Sequence, residues 1–228
     1  MKKLEWDSRF FQKEIYELTR EECELPMNGG PEKWDVIQTK CFVHEREKIS
    51  DLETNGFHFE DLRITFEKKV GPRDNDTNIP IRRAKKIDIN AVRQIARSIF
   101  SEHSRFLSVA GRDKTEAFYA KWAEVAVNGH FDDDCFVLEK DGEIIGFITS
   151  KKISEEMAGI GLLGVRPGYR GLGAASSLLS FMERHAMNRG NDFVRVVTEG
   201  KNDAALNLYE KNGYRTAAIE LWFYKMRK

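Results

Sequence analysis

The chain has 228 residues, 41% hydrophobic and 11% aromatic, enough for one large or two small domains with a real core. Its 37 basic residues balance its 37 acidic ones, so no net field draws it to nucleic acid or to an anionic membrane. Cys23, Cys41 and Cys135 are too few and too scattered for a disulfide framework or a zinc site, so no metal is expected. No apolar leader follows Met1-Lys2-Lys3-Leu4 and no stretch has the length to span a bilayer, which makes the reducing cytoplasm the expected location.

In chain order, residues 1–70 form a block of their own. Trp6, Phe10, Phe11, Ile15 and Tyr16 are apolar anchors in a charged stretch and predict a turn followed by an edge strand. Asn28-Gly29-Gly30-Pro31 is a loop. Residues 34–43 read as a strand and 44–55 as a helix with Ile49 and Leu52 inward, ended by Gly56. Residues 57–70 alternate Leu62, Ile64 and Phe66 with Arg63, Thr65 and Glu67, the period of a half-buried strand. Residues 71–78 carry turn formers and charges but nothing apolar, and are the expected linker.

The second unit, residues 79–228, opens with a strand through Ile79-Pro80-Ile81-Arg82-Arg83-Ala84. Asp88 is the expected cap of a helix carrying Ile89, Val92, Ile95, Ala96 and Ile99. Ser104-Arg105-Phe106 and the following residues 107–112 read as loop. A helix over about 115–127 has Thr115 as its cap and Phe118, Tyr119, Trp122 and Val125 as its apolar face. Residues 135–139 and 143–151 make a hairpin around Asp141-Gly142. A buried strand over 159–165 then runs into Pro167-Gly168, a glycine-rich turn, and a helix with Leu178, Leu179, Met182 and Ala186 at helical spacing, closed by Gly190. A strand over 193–198, a helix capped by Asn202 or Asp203 and ended by Gly213, and a strand over 217–226 complete the chain.

Strand, glycine loop and helix start together make an anion site, because the first N–H groups of a helix are free and its dipole favours negative charge there. Gly171 and Gly173 let a ligand approach the backbone. A Walker loop is excluded, since no Gly-Lys-Ser/Thr follows. A dinucleotide loop fits poorly: Ser176 stands where the third glycine belongs, and the acidic partner could only be Asp192, which opens the next strand. An ordinary strand-to-helix turn stays open on the loop alone. Downstream lies Asn202-Asp203-Ala204-Ala205-Leu206-Asn207-Leu208-Tyr209-Glu210-Lys211-Asn212-Gly213-Tyr214, where a lone Tyr209 reads first as a core aromatic.

Taken in order, Arg170-x-x-Gly173-x-Ala175 and Asn202-x-x-Ala205-x-x-Leu208-Tyr209-x-x-x-Gly213-Tyr214 resemble the two signatures of the GNAT acyltransferase superfamily. The resemblance covers residues 79–228. It implies an α/β fold with a mixed, mostly antiparallel central sheet flanked by helices, and acetyl-CoA as donor. It implies that Arg170, Gly171, Leu172, Gly173, Ala174, Ala175 and Ser176 hold the pyrophosphate, and that Leu163, Gly164 and Val165 take the pantetheine arm as a pseudo-strand. Asn202 and Asn207 contact the arm, and Tyr209 gives a proton to the leaving thiolate.

Leu4-Glu5-Trp6-Asp7-Ser8-x-Phe10-Phe11, Ser104-Arg105-Phe106 and Tyr119-x-x-Trp122 further resemble the TDP-4-amino-sugar N-acetyltransferases of cell-surface polysaccharide synthesis. This implies a nucleotide amino sugar as acceptor, with Arg105 on its diphosphate; the other reading of Arg105 is a surface ion pair. The general base stays open among Glu155, Glu156, His103, His130, a solvent relay and an amine already neutral, because strand 159–165 has no carboxylate. The oligomeric state also stays open, a homodimer among the alternatives. The rival classes are a GNAT enzyme acting on protein or peptide amines, a non-catalytic CoA-binding module and a nicotinamide enzyme.

The N-terminal block matches the C-terminal end at an offset of 157 (212 minus 55): Asn55-Gly56-Phe57 falls on Asn212-Gly213-Tyr214, Leu52 on Tyr209, and Leu62, Ile64 and Phe66 on Ile219, Leu221 and Phe223. Residues 1–70 are therefore expected to be a degenerate half-copy, with Leu52 in place of the reactive tyrosine and no glycine loop.

Overall fold

The computed structural model describes residues 1–19, 32–71, 80–99 and 102–227; the Asn28–Pro31 turn and the linker from residue 72 lie outside them. Ten strands form a single sheet in the order β1-β2-β3-β10-β4-β9-β8-β7-β6-β5. They are β1 Lys2–Lys3, β2 Ile15–Glu17, β3 Val36–Phe42, β4 His58–Lys69, β5 Ile81–Arg83, β6 Asp134–Lys140, β7 Glu143–Lys152, β8 Met157–Val165, β9 Phe193–Glu199 and β10 Arg215–Met226. The pairs β2/β3 and β8/β9 are parallel and the others antiparallel, so the sheet is mixed and mostly antiparallel. Among the described residues six helices cover it: α1 Glu5–Phe11, α2 Arg46–Thr54, α3 Ile89–Ile99, α4 Leu107–Val127, α5 Ala174–Asn188 and α6 Asp203–Lys211. Among the described residues no helix is long and apolar enough to cross a membrane.

Helices α5 and α6 pack on one face. Leu178, Leu179, Met182 and Ala186 are fully buried there against Ile148, Val194 and Val196; each large side chain so buried contributes about 1.5–3 kcal/mol. Helices α1, α3 and α4 cover the other face, where Phe11, Val92, Ile95, Phe106 and Phe118 meet Trp222 and Tyr224 of β10. Phe223, between those two, points the opposite way into a third cluster with Leu52 of α2, Ile37 and Phe57.

Three local readings change. The N-terminal turn is the helix α1, because Phe10 meets the Phe118 ring edge-on at 5.3 Å and Phe11 stacks on it at 4.8 Å. Residues 107–112, read as loop, belong to α4, which breaks at Gly111 (φ 74°) where no L side chain would sit easily. Thr115 is consequently buried inside that helix and donates to the Gly111 carbonyl at 2.8 Å. Asp88 ends a 3₁₀ turn, accepting from the Lys85 N–H at 2.7 Å and from Arg82.

The described residues of the 1–70 block share the one sheet, since β3 and β4 flank β10. The offset of 157 governs the pairing itself. It carries the pair Phe42–Glu220 onto Glu199–Arg63; it also carries Val36 onto Phe193, each of which starts a parallel pairing, with Ile15 and with Met157, although those two partners are 142 residues apart (157 minus 15). Lys225 lies over the Phe57 ring as Lys68 lies over Tyr214.

Candidate active site

Strands β8 and β9 pair only from Met157–Phe193 to Ile160–Val196. Beyond that they part, because β8 stays with β7 to Val165 and β9 stays with β4 to Glu199. A β-bulge starts the divergence: Ile148 faces Leu163 and Ser150 faces Ile160, so Gly161 and Leu162 share one partner, Thr149. The Leu162 N–H donates to Thr149 Oγ1 at 2.8 Å, and the Arg166 N–H donates to the Ile145 carbonyl at 2.8 Å. Backbone groups alternate along a strand, so the N–H groups of Leu163 and Val165 point into the gap between β8 and β9. Gly164, expected among the cofactor contacts, has its backbone turned to β7. A Cβ there would stand 2.4 Å from Ile99 Cδ1 and 2.8 Å from Phe147 Cε1, so its glycine serves the packing of α3.

The glycine loop closes one end of the gap. A 3₁₀ turn, Pro167–Tyr169, leads to an exposed Arg170, then Gly171 (φ 77°), Leu172 at 66% exposure and Gly173 (φ 81°). Nothing lies within 4 Å of a Cβ built on either glycine, so positive φ, not space, requires glycine at both. The helical bonding of α5 begins with the Ser177 N–H to the Gly173 carbonyl at 2.9 Å. The N–H groups of Ala174, Ala175 and Ser176 therefore have no acceptor within the helix, and they sit at its positive end. Ser176 Oγ accepts from Asn212 Nδ2 at 3.1 Å, which ties the loop to α6. Asp192 precedes Phe193, which pairs with the first residue of β8, so it lies at the far end of the strand from the loop and cannot clamp a ribose there.

Helix α6 begins at Asn202, whose Oδ1 accepts from the Ala205 N–H at 3.2 Å. Asn207 is exposed on its surface. Tyr209 is buried, its ring 5.5 Å from Phe66 and 5.8 Å from Tyr214. Burial, with the nearby Glu199 charge adding, pushes its phenol well above the ordinary value of 10.0. It holds its proton throughout the neutral range, as a donor must.

The opposite face supplies a second group of side chains. Val194 and Val196 are buried under α5, so Glu199, an odd number of residues away, faces the other side of β9. Arg105 is sandwiched there, its guanidinium 4.1 Å from the ring centres of both Phe106 and Trp222. Its Nη1 donates to Gln38 Oε1 at 2.8 Å and to the Tyr224 hydroxyl. Burial raises the Tyr224 phenol to about 12. Arg105 has no salt bridge among the described residues, which removes the surface ion-pair reading. Glu199, last residue of β9, is partly exposed and likewise has no salt bridge among them; burial raises its carboxyl, with Arg105 opposing. Asp61, also near, is buried and paired with Lys201 at 3.0 Å.

Of the open candidates for the base, His103 is half-buried two residues before Arg105, and three lie elsewhere. Glu155 and Glu156 are exposed in the turn before β8, Glu156 about 23 Å along the strand from Leu163. His130 is exposed beyond the end of α4. Glu199 closes β9 one residue beyond the 193–198 that the sequence predicts; its position three residues before the Asn202 cap is the signal that marks it.

Comparison with known proteins follows the same lines. The Acetyltransferase (GNAT) family model matches residues 91–214. The dTDP-fucosamine acetyltransferase of Escherichia coli O6:H1 is 29% identical over 226 residues, 97% of this chain and 96% of that one. A mycothiol acetyltransferase of Streptomyces avermitilis is 30% identical over 125 residues, but only 54% of this chain and 38% of that one. A functionally unknown conserved protein from Staphylococcus epidermidis superposes with a TM-score of 0.64 at 13% identity, covering 86% of this chain and 74% of that one. The GCN5-related N-acetyltransferase from Sphaerobacter thermophilus does so at 0.59 and 17%, covering 84% and 59%; both show the fold. With the bulged strand, the glycine loop and the Tyr209 helix all inside the matched span, the chain belongs to the GNAT acetyltransferase family and is an N-acetyltransferase with acetyl-CoA as its donor.

Proposed function

We propose that the protein acetylates the amine of a nucleotide-linked amino sugar by direct attack in a ternary complex. The observation that carries this reading is the similarity to a dTDP-fucosamine acetyltransferase through 97% of the chain, N-terminal block included. That block brings Gln38 and Asp61 to the face of the sheet where Arg105 lies. We also take residues 1–70 as a degenerate half-copy of the catalytic unit, retained as the wall of the acceptor site; the common offset in strand pairing supports this.

In this reading the loop from Arg170 to Ser176 binds the pyrophosphate through free N–H groups. Leu163 and Val165 pair with the pantetheine arm, along which Asn202 and Asn207 lie, and the Leu163 N–H polarises the thioester carbonyl. Arg105 meets the acceptor diphosphate with Nε and Nη2, which carry no hydrogen bond among the described residues; the two flanking rings hold the fork flat. Glu199 takes a proton from the acceptor ammonium. The freed amine attacks the carbonyl carbon, a C–N bond replaces the C–S bond, Tyr209 protonates the departing thiolate, and the proton shed by the new amide nitrogen returns through solvent to the Tyr209 phenolate, while Glu199 gives its own proton back to water. The half-buried Glu199, with no salt bridge among the described residues, suits the base better than Asp61, whose charge is already matched by Lys201.

TDP added to protein saturated with acetyl-CoA is expected to raise Tm further. Arg105→Lys should remove that increment and keep the shift due to acetyl-CoA, because an ammonium cannot reproduce the fork. An enzyme built for peptide amines would show no TDP increment at all.

A further inference from the structure

The bulge in β8 is held by side chains that lie outside the cleft. Thr149 of β7 is completely buried, and its Oγ1 is the acceptor for the Leu162 N–H at 2.8 Å. An N–H left unpaired at that depth is strongly unfavourable, so the hydroxyl supports the bulge there. Beside Thr149 lies Asp132, 1% exposed, in the turn before β6. Its Oδ2 accepts from Trp122 Nε1–H at 3.2 Å, and its Oδ1 has no hydrogen-bond partner. The carboxyl fills the space left by the missing side chain of Gly161, the other bulge residue: a Cβ on Gly161 would stand 2.4 and 2.6 Å from its two oxygens. A carboxylate only accepts, whereas a hydroxyl both donates and accepts. With its lone pair committed to the Leu162 N–H, the Thr149 hydroxyl has a proton to give, and the Asp132 carboxyl, whose Oδ1 has no other partner, is the buried acceptor at the same bulge.

We propose that Asp132 and Thr149 are positioning residues that fix the bulge and thereby aim the Leu163 N–H at the thioester oxygen. The sequence of contacts is short: Trp122 and Gly161 seat Asp132, Asp132 orients Thr149, Thr149 holds the Leu162 N–H, and the next N–H along the strand faces the gap. Neither residue touches the reacting atoms. The proposal rests on the reading of Leu163 as the donor to the thioester, and its test separates the two.

The test is the infrared carbonyl stretch of acetyl-CoA carrying ¹³C at the thioester carbon, recorded bound and free. No acceptor is needed, so the result does not depend on which amine is the substrate. Wild-type protein is expected to shift the stretch to lower frequency, as a hydrogen bond to the oxygen requires. Thr149→Val, close in shape but without the hydroxyl, should lose most of that shift; Thr149→Ser, which restores the hydroxyl, should recover it. Asp132→Asn, which keeps an acceptor for Trp122 but can donate to Thr149, should show an intermediate shift and serves if the valine variant fails to fold. With any accepted amine, kcat of Thr149→Val should fall about 10- to 100-fold, the scale of a misplaced or lost oxyanion donor. A full shift in folded Thr149→Val, or in Asp132→Asn, overturns the positioning role. No shift in the wild type overturns Leu163 as donor, and the positioning role with it.

Discussion

Tyr209→Phe is expected to lower kcat about 10²- to 10⁴-fold, the range of a lost general acid, with little change in KM for acetyl-CoA. In the proposed mechanism the hydroxyl acts only as the thiolate leaves, and an interaction made only in the transition state lowers kcat and kcat/KM together. The ring of Tyr209 belongs to the core with Phe66 and Tyr214, and phenylalanine keeps it. Stability should fall by at most about 1 kcal/mol, the value of one hydrogen bond. Steady-state kinetics with a melting curve as control make the check. Near wild-type kcat would return Tyr209 to the core alone; a large rise in KM with kcat intact would make it a binding residue.

Glu199→Gln should be of similar size, about 10²- to 10⁴-fold in kcat/KM near neutral pH, and should also reshape the pH profile. Burial raises the Glu199 carboxyl above its ordinary 4.5. A base works only when ionised, so wild-type kcat/KM should fall as pH drops through that raised value. The glutamine variant should lose this acid limb while keeping the limb set by the acceptor ammonium. No alkaline limb from Tyr209 should appear near pH 10, since burial holds its proton beyond that range. An unchanged acid limb in the variant would take the proton transfer away from Glu199, and Asp61→Asn, measured alongside, would show whether it moves there.

What the sequence made legible was carried by local chemistry. Asp141 and Gly142 adopt φ 51° and 78°, as their two-residue turn demands, and Gly190 and Gly213 both close helices at φ 81°. The spacing of Leu178, Leu179, Met182 and Ala186 alone located the buried face of α5. The Asn-Gly-aromatic match at an offset of 157 was visible because turn residues keep their identity where strands drift.

What stayed hidden depends on partners distant in the chain. Helix α1 forms in a stretch of weak helical signal because Phe10 and Phe11 dock on Phe118. The cleft arises from a bulge, and inside the apolar run of β8 nothing marks Gly161 as the residue that makes room for Asp132. Glu199 and Arg105 gain their surroundings only when β9, β10 and the loop before α4 converge. The two family signatures mark the residues proposed to hold the donor; those proposed to meet the acceptor owe their placement to tertiary contacts.

Mass spectrometry of the products formed from acetyl-CoA and a TDP-4-amino sugar, with a set of peptide amines run in parallel, tests the central claim most directly. The expected result is one acetyl group on the sugar amine, one CoA thiol released for each, and no acetylated peptide. Acetylated peptides beside an untouched nucleotide sugar would contradict it.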